Sequence, residues 1–560
     1  HSCFGSGMPS PSTMSRFLNR IAARRRPSPI RALQPLTQIP GMISFGSGMP
    51  SPSTFPVATI SATLTDGTVI NIDAARTSEA MQYSATDGLP GLREWVRRLQ
   101  LREHGWDCDA VGGSICVTTG SQNALHLAFE MLLGEDEAIV VDEYAYPGAL
   151  ESIRPLGARM IGVPMDAFGM RPDALEAALR DASKAQGGPK PKALYTVPTG
   201  HNPCGSTIPT ARRRELYDIC CAHDLLLLED DPYWFLGLRP PPPGAQAAAA
   251  SAAADVAPLE SFLSLDVEGR VLRFDSLSKV LSSGVRVGWV SGASELVERI
   301  ALHQQVAALH SSGPSQALVL ALLEAWGEEG WAAHVAHVQA FYSSQRDAMH
   351  ECAARHLEGL ATWYARAPRA AAHRTQQLWL PPPPPVRLQP GSAAAGLPLR
   401  PRHARHESGS QRHVRATLHS SRHSRSGIRH LSSHCARVKS VKSKGPRPCH
   451  ARTSCTQRHA AARHALSGPS PRARRSLPSH GMFLWLDLTP SGVLDTHALV
   501  VERAIAAKVL LVPGASFAAD ADATGGASPF VRAAFSMASP EAMDEGMARI
   551  AAMLREHRRA

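Results

Sequence analysis

Short apolar runs alternate with helical patterns along the first half of the chain, and this alternation restricts the fold more than any other feature. The runs at Ser114–Thr118, Ala138–Val141, Ala193–Val197 and Leu225–Leu228 each have the length of a buried strand. Amphipathic segments of helical spacing separate them, as in βαβ units. The sequence therefore predicts an α/β fold whose large domain has a mainly parallel sheet between helices, with a smaller α+β domain after it.

The basic character of the chain is concentrated in one segment. The 560 residues carry a formal charge of +11, which at first suggests a nucleic-acid or acidic-membrane partner. Residues 366–480 hold 23 of the 59 Lys and Arg residues with one acid, which leaves 36 basic and 47 acidic residues elsewhere. No apolar run has the length needed to span a bilayer. We therefore expect neither nucleic acid nor a membrane as a partner of the folded part.

Residues 366–478 also differ from the rest in composition. They are rich in His, Arg, Ser and Pro and show no hydrophobic periodicity, so they cannot offset their ordering entropy by burying apolar surface. We predict a basic low-complexity insertion that is disordered, with translated non-coding sequence as an alternative. Its Cys and His residues lack the regular spacing of zinc ligands, and we predict no metal site. The Pro- and Ala-rich stretch 239–257 is expected to be a surface loop.

The N-terminal region contains a duplication. Phe4–Thr13 recurs as Phe45–Thr54 without further copies, which indicates a local duplication or an error in the gene model. We therefore divide the chain into an unassigned leader, an N-terminal arm with part of the small domain, a large domain, and a small domain in two pieces around the insertion. Their limits are 1–14, 15–85, 86–335, and 336–365 with 479–560.

Two features bear on the compartment. The ten cysteines are scattered and include the adjacent pair Cys220 and Cys221, which favours a reducing compartment over a disulfide framework. The Arg-rich stretch 16–31, with no acidic residue before Asp66, suits either part of a transit peptide or a basic arm on the surface. We expect a cytoplasmic protein, with the mitochondrion or another organelle left open.

Lys279 lies on a polar connection between two predicted strands, Val271–Phe274 and Val287–Val290. Four serines and Arg286 accompany it. A lysine held there by partial burial and neighbouring cations would lose its proton easily, as a Schiff-base amine requires. An ordinary solvated lysine in a Ser-rich loop explains this stretch equally well when it is considered alone.

Two further stretches lie at the ends of predicted strands. Gly120-Ser121-Gln122 stands between a strand and a helix, where backbone N–H groups could bind a phosphate, although a plain N-cap serine is a competing interpretation. Asp230 and Asp231 follow the apolar run Leu225–Leu228, and adjacent buried carboxylates are costly unless they pair. A protonated ring nitrogen would be such a partner; the alternative is a pair of acids that face solvent.

Two polar residues remain. Asn202 belongs to an Asn-Pro turn after a strand and could reach a ring hydroxyl, although such turns are also common structural features. Arg532 interrupts an apolar strand pattern, where its planar fork suits a substrate carboxylate or, alternatively, a structural salt bridge.

In their joint order, these stretches resemble the class I, fold-type-I aminotransferases that depend on pyridoxal 5'-phosphate (PLP). The matching motifs are Asn202–Gly205, Glu229–Tyr233, Ser276–Lys279 with Arg286, and Arg532. Within this family the chain is most similar to the kynurenine/α-aminoadipate and fungal aromatic amino acid aminotransferases. The family's Asn-Pro-Thr-Gly reads Asn-Pro-Cys-Gly here, which keeps the asparagine.

The resemblance implies PLP as the cofactor, with Lys279 as the covalent attachment point and α-proton shuttle. Asp230 would bind the ring nitrogen, and Tyr233, also assigned a catalytic role, would hydrogen-bond the ring hydroxyl with Asn202. The residues that would hold the cofactor are Ser121, Gln122, Tyr146, Asn202, Asp230, Tyr233, Ser276, Ser278, Lys279 and Arg286, with Tyr83 from the partner subunit of a homodimer. Those that would bind substrate are Arg532, Asn202, Gly48 and Arg31.

The activity implied is transamination of an aromatic amino acid, kynurenine or 2-aminoadipate, with 2-oxoglutarate as amino acceptor. The substrates would then be amino acids and 2-oxo acids. The alternative is a transcriptional regulator in which an aminotransferase-like domain senses a ligand, although too few residues precede the Gly/Pro-rich arm for a DNA-binding module.

Overall fold

The computed structural model describes residues 14–31, 36, 39–43, 45–46, 48–184, 188–238, 259–363, 478–520 and 526–559. All of them belong to one compact unit that comprises residues 1–369 and 471–560. The predicted leader except Met14, the predicted loop 239–257 and the predicted insertion except Pro478 lie outside the described residues. The expectations for these three segments stay predictions.

The strands of the described residues are β1 (Ile60–Thr63), β2 (Val69–Ile72), β3 (Gly113–Thr118), β4 (Ala138–Asp142), β5 (Arg159–Val163), β6 (Met165–Asp166), β7 (Gly169–Met170), β8 (Pro191–Thr196), β9 (Leu226–Asp230), β10 (Val271–Ser276), β11 (Gly288–Ala293), β12 (Thr362–Trp363), β13 (Phe483–Asp487), β14 (Val512–Pro513) and β15 (Phe530–Ala534). The α-helices are α1 (Arg20–Arg24), α2 (Ala74–Met81), α3 (Pro90–His104), α4 (Ser121–Leu132), α5 (Pro147–Ile153), α6 (Pro172–Lys184), α7 (Thr210–Ala222), α8 (Phe262–Leu265), α9 (Ser294–Ala307), α10 (Gly313–His356) and α11 (Pro540–Arg559). A π-helical turn covers Leu499–Ala504. Helix α10 is interrupted at Gly327, whose backbone is not helical.

Seven strands form the main sheet in the order β3-β11-β10-β9-β8-β4-β5. The neighbours from β10 to β5 are parallel, whereas β11 is antiparallel to both β10 and β3. Strand β11 follows β10 after the short connection that carries Lys279, which is too short for the crossover that a parallel partner needs. The prediction of a mainly parallel sheet in an α/β fold is confirmed.

Both faces of this sheet are buried, because adjacent residues of one strand enter different apolar clusters. In β9 Leu226 and Leu228 belong to one cluster, and Leu227 belongs to the other. Helices cover the two faces, which explains why the sequence of such a strand is continuously apolar. The parallel strands consequently end at one edge of the sheet, where β4, β8, β9 and β10 finish with Asp142, Thr196, Asp230 and Ser276. Ligands of open α/β sheets bind outside this edge.

A second, four-stranded sheet has the order β12-β13-β15-β14 and is antiparallel throughout. Its first two strands come from either side of residues 364–477, and Trp363 is paired with Leu486. Trp485 lies opposite Arg532 in the same sheet. Helix α11 packs against α10. This arrangement matches the predicted smaller α+β domain, and the exact domain limits stay a prediction.

Candidate active site

A cavity of about 440 Å³ lies at the carboxyl edge of the main sheet. Eleven of the fourteen predicted site residues line it: Ser121, Gln122, Tyr146, Asn202, Asp230, Tyr233, Ser276, Ser278, Lys279, Arg286 and Arg532. These residues are distant in sequence, and strand ends and adjoining loops of both sheets bring them together. The volume is suited to a small organic ligand.

Lys279 is half-buried on the connection between β10 and β11, as predicted. Burial lowers the pKa of its amine, and the positive charges of Arg532 and Arg286 lower it further. A depressed pKa means that more of the amine is neutral at a given pH. This is the property required of a lysine that attacks an aldehyde, and the partial burial of Lys279 favours that role over an ordinary solvated lysine.

Next to Lys279, hydroxyl and guanidinium groups form a cradle suited to an anion. The Ser276 hydroxyl donates to Ser278 Oγ over 3.0 Å, and Arg286 Nη1 also donates to Ser278 Oγ over 3.0 Å. Arg286 Nη2 donates to the Thr119 carbonyl over 3.2 Å. Arg286 has a left-handed backbone with φ of 52°, which is uncommon for a residue with a side chain.

Two glycines allow the backbone to close around this cradle. A Cβ at Gly120 would lie 2.5 Å from Arg286 Nη2, and one at Gly288 would lie 2.6 Å from the Asp275 carbonyl oxygen and 2.8 Å from Ser121 N. Helix α4 begins at Ser121 without a side-chain cap. Its first N–H groups and its positive dipole end are therefore available to a phosphate.

Gln122 is hydrogen-bonded to helix α5. Its Nε2 donates to the Gly148 carbonyl over 2.9 Å and to Ser152 Oγ over 3.2 Å. The half-buried Tyr146 immediately precedes helix α5 and lines the cavity. Burial raises the pKa of Tyr146, and the negative charge of Asp230 raises it further, so its phenol stays neutral.

Asp230, the last residue of β9, is 3% exposed. Burial is the main cause that raises the pKa of Asp230 to about 7. Tyr195 donates from its hydroxyl to Asp230 Oδ2 over 2.9 Å, whereas Oδ1 is buried without a hydrogen-bond partner among the described residues. A buried carboxylate oxygen with no partner is costly. A cationic N–H donor in the cavity would satisfy it.

The sequence did not reveal the ion cluster beside Asp230. Arg273, with no exposed side-chain surface, contacts Asp275 at 2.9 Å, Glu229 at 3.0 Å and Asp231 at 3.2 Å. The alternative that Asp230 and Asp231 face solvent is wrong, since both are buried. Asp231 pairs with Arg273 inside the protein, and Asp230 alone of the two lines the cavity. The one signal in the sequence was an arginine within the apolar strand that precedes Lys279.

Arg532 also lines the cavity. Its Nη1 donates to Asn202 Oδ1 over 2.9 Å, and its guanidinium lies 4.7 Å from the ring centre of Phe483 and 5.2 Å from that of Phe517. Burial lowers the pKa of Arg532. The buried Tyr233 packs edge-on against Phe483 at 5.8 Å. No carboxylate of the described residues pairs with Arg532 among the ion pairs found, which favours a ligand carboxylate over a structural salt bridge.

Three predicted residues do not line the cavity of this chain. Tyr83 is 46% exposed and meets His310 edge-on at 6.1 Å. Arg31 donates from Nη2 to the Ser84 carbonyl over 2.7 Å, and Gly48 is exposed on the arm. The role predicted for Tyr83 concerns a partner subunit's site, so it stays a prediction, as do the substrate roles of Arg31 and Gly48.

Several lining residues carried no recognisable signal in the sequence, because their side chains are apolar or small. They are Val197, Pro232, Ser283, Met482, Phe483, Ala534 and Ser536. Across the described ranges there is no cluster of His, Cys, Asp or Glu that could hold a metal ion. Within the same part of the chain, no helix combines the length and apolar character needed to cross a membrane.

The cavity fits PLP in three independent respects. The cradle around Ser278 and Arg286 suits a phosphate, the unpartnered Oδ1 of Asp230 suits a protonated ring nitrogen, and the depressed pKa of Lys279 suits an aldehyde. Together with the seven-stranded sheet, these features define a PLP-dependent enzyme of fold type I.

Comparison with known proteins narrows this class. Residues 40–361 match the family model described as aminotransferase class I and II. The mitochondrial kynurenine/alpha-aminoadipate aminotransferase of Mus musculus is 31% identical over 554 residues, which cover 97% of this chain and 99% of that protein. The chain belongs to the class I and II aminotransferases and is a PLP-dependent transaminase.

Other relatives are fungal. The aromatic amino acid aminotransferase C56E4.03 of Schizosaccharomyces pombe is 32% identical over 325 residues, covering 57% of this chain and 66% of that protein. The crystal structure of aminotransferase Aro8 from Candida albicans superposes with a TM-score of 0.68 at 22% identity and covers 98% of both chains. This structural likeness supports the fold.

Proposed function

We propose that the protein transfers the amino group of an aromatic amino acid, kynurenine or 2-aminoadipate to 2-oxoglutarate. The observation that carries the proposal is the convergence of Lys279, Asp230 and Arg532 on one cavity. The choice of substrates is supported by the names of the mouse and fission yeast relatives. Those relatives are named as aminotransferases, and nothing in the described structure favours the ligand-sensing regulator.

The described residues suggest which group serves each part of the reaction. PLP, when bound, supplies a ring that withdraws electrons from the substrate α-carbon. Ser276, Ser278, Arg286 and the first turn of helix α4 would bind its phosphate, and Asp230 would hold the proton on the ring nitrogen. Tyr146 would pack against the ring. Tyr233 and the amide nitrogen of Asn202 would donate hydrogen bonds to the ring hydroxyl oxygen and so fix the orientation of the ring.

Two basic residues of the cavity bind and deprotonate the substrate. Arg532 binds the α-carboxylate through the guanidinium edge that Asn202 leaves open. Lys279 Nζ would take the proton from the α-carbon of the amino donor and pass it to the cofactor, and in the second half of the reaction it would deliver a proton to the α-carbon of the acceptor. Its depressed pKa provides the neutral amine that such a base must be.

Two proposals concern the assembly and the compartment. We expect a homodimer in which Tyr83, exposed here at 46%, completes the phosphate site of the partner subunit. Gly48 and Arg31 on the N-terminal arm would then border the substrate side of a site. The mouse relative is named as mitochondrial, and we propose an organelle, with the cytoplasm as the alternative.

Purified protein mixed with PLP tests the central proposal. Wild-type protein is expected to become yellow, to retain the colour after gel filtration, and to convert 2-oxoglutarate with at least one donor of the three types. Lys279→Ala should lose both properties. Lys192→Ala, which removes an amine paired with Glu137 at 2.8 Å outside the cavity, should retain them. Wild-type protein that binds no PLP would contradict the proposal.

A further inference from the structure

We propose that Tyr195 is a positioning residue of this active site, whose hydroxyl fixes the Asp230 carboxylate so that Oδ1 remains free for the ring nitrogen of the cofactor. The inference rests on the proposed function, since it assigns a ligand to Asp230. It adds a residue that neither the motifs nor the cavity lining includes.

The sheet places Tyr195 directly beside Asp230. Strands β8 and β9 are parallel neighbours in which Tyr195 is paired with Leu228. Because side chains alternate along a strand, Asp230 lies on the same face as Leu228 and next to the tyrosine ring. Tyr195 is fully buried, and Phe129 meets its ring edge-on at 5.6 Å. The ring therefore has little freedom to turn its hydroxyl away.

The two oxygens of Asp230 have different surroundings. Tyr195 donates to Oδ2 over 2.9 Å, and within the part of the chain that the structure describes Oδ1 has no hydrogen-bond partner. A carboxylate accepts hydrogen bonds in the plane of its two oxygens, so one fixed bond restricts the rotation of the group. The hydrogen bond from Tyr195 thus determines which oxygen is left for a ligand in the cavity.

The charge of Asp230 depends on the same hydrogen bond. Burial raises the pKa of Asp230, the negative charges of Asp231 and Asp275 raise it further, and the Tyr195 hydrogen bond and Arg273 lower it. The phenols of Tyr146 and Tyr233 also interact electrostatically with Asp230. The pKa of Tyr195 is raised mainly by burial, so its hydroxyl keeps its proton and remains a donor. Loss of the hydroxyl would leave Oδ2 without a partner and favour the neutral acid, which cannot pair with a charged ring nitrogen.

The test is the pH dependence of PLP affinity in Tyr195→Phe. Cofactor-free protein is titrated with PLP between about pH 5.5 and pH 8.5, and binding is followed by visible absorbance. Loss of a hydrogen bond to a charged group lowers a binding affinity by roughly tenfold or more. We expect the variant to bind PLP about tenfold more weakly than wild type below pH 7. The difference in affinity should become smaller at higher pH. The midpoint, which is the pH at which PLP affinity has fallen to half on the acidic side, should therefore be higher in the variant.

Tyr217→Phe is the matched control. Tyr217 is also buried, and its hydroxyl donates to Asp266 over the same 2.9 Å, but neither residue lines the cavity. Both variants should lower the melting temperature by a similar amount. The control should keep the wild-type midpoint, which separates the positioning role from a purely structural one.

A second variant covers the case in which Tyr195→Phe does not fold. Tyr195→His keeps a ring and an N–H donor, and it is expected to retain a midpoint within about half a unit of wild type. An unchanged midpoint in Tyr195→Phe, with or without a loss of thermal stability, would overturn the role of Tyr195. An upward shift of a unit or more in Tyr195→His would also overturn it. Failure of the wild-type protein to bind PLP would instead overturn the proposed function.

Discussion

Arg532 and Asn202 are joined by a hydrogen bond of 2.9 Å from Nη1 to Oδ1. The arginine belongs to β15 of the four-stranded sheet, and the asparagine follows β8 of the main sheet. The ring centres of Phe483 and Phe517 lie 4.7 and 5.2 Å from the guanidinium, and its Nε has no hydrogen-bond partner in the described ranges. The arginine is therefore oriented before a substrate arrives, with donors left over for a carboxylate. Such preorganisation lowers the entropic cost of binding.

Arg532→Lys should raise the KM for the amino donor by roughly 10- to 100-fold with a smaller change in kcat. Lysine keeps the charge but cannot make a planar two-pronged contact, whose worth is about 1.5–3 kcal/mol. Steady-state kinetics with a donor panel and 2-oxoglutarate would measure the effect. Arg549→Lys is the control and should leave KM unchanged, because Arg549 pairs with Glu545 in α11 and does not line the cavity. An unaltered KM in Arg532→Lys would exclude the arginine from carboxylate binding.

Asp230→Asn should stabilise the cofactor-free protein at about pH 8 and have little effect near pH 4. The pKa of Asp230 is raised to about 7 in the folded state, so folding above that pH requires a buried charge, and this cost disappears as the pH falls through 7 toward 4. This rise in the pKa of Asp230 corresponds to at most about 4 kcal/mol of the free energy of unfolding. Urea unfolding at the two pH values would measure the difference. Asp109→Asn, at a side chain 78% exposed, should change stability by less than about 0.5 kcal/mol at both. An equal effect of Asp230→Asn at both pH values would contradict the prediction.

The sequence predicted the parts of this site that lie at strand ends. Lys279, Asp230 and Asn202 all follow apolar runs that became strands, and the parallel order of those strands brings their ends to one edge. Arg532 was recognisable in the sequence as a charged residue inside an apolar strand, and such a residue requires a partner. The positions of these residues relative to the strands were predictable because the period of a strand is a local property of the sequence.

The other features of the site depend on contacts between residues far apart in sequence. Tyr195 appeared as one more apolar residue of a buried strand, and its hydrogen bond to Asp230 follows from strand register. Arg273 meets Glu229 and Asp231 across the neighbouring strand pair β9 and β10. Neither relationship has a sequence period that could reveal it. Side-chain pairing across a sheet is fixed by tertiary structure.

Gly288→Ala should weaken PLP binding more than it weakens folding. The added Cβ would lie 2.6–2.8 Å from backbone atoms of Asp275, Gly120 and Ser121, and backbone cannot move aside as a flexible side chain can. The phosphate cradle would have to open. PLP titration should show at least a tenfold higher Kd, which is about 1.4 kcal/mol. Gly284→Ala, whose Cβ would meet only Ser282 Oγ at 3.9 Å, should bind PLP normally. Normal affinity in Gly288→Ala would mean that the cradle is not the phosphate site.

Removal of residues 370–470 should leave PLP binding intact. The residues that line the cavity all lie outside this range, and the flanking strands β12 and β13 are paired with each other. Residues 364–369 and 471–477 would remain as the connection. Visible absorbance and the donor panel would compare the shortened protein with the full chain. Loss of PLP binding in a folded shortened protein would contradict the expectation.

Arg273→Met should destabilise the protein by roughly 3–5 kcal/mol, because it leaves the carboxylates of Glu229, Asp231 and Asp275 buried without their common cation. Arg213 lies 3.7 Å from Glu229, and this single contact cannot pair Asp231 and Asp275 in place of Arg273. Methionine fills a similar volume, so the loss would report charge and not a cavity. Urea unfolding at about pH 7 is the measurement. Arg97→Met, which removes an arginine 39% exposed beside Glu94 and Asp109, should cost less than about 1 kcal/mol. Equal losses in the two variants would show that the buried cluster is no more important for folding than a surface pair. A specific loss in Arg273→Met would show that the region beside Asp230 is held by this one guanidinium.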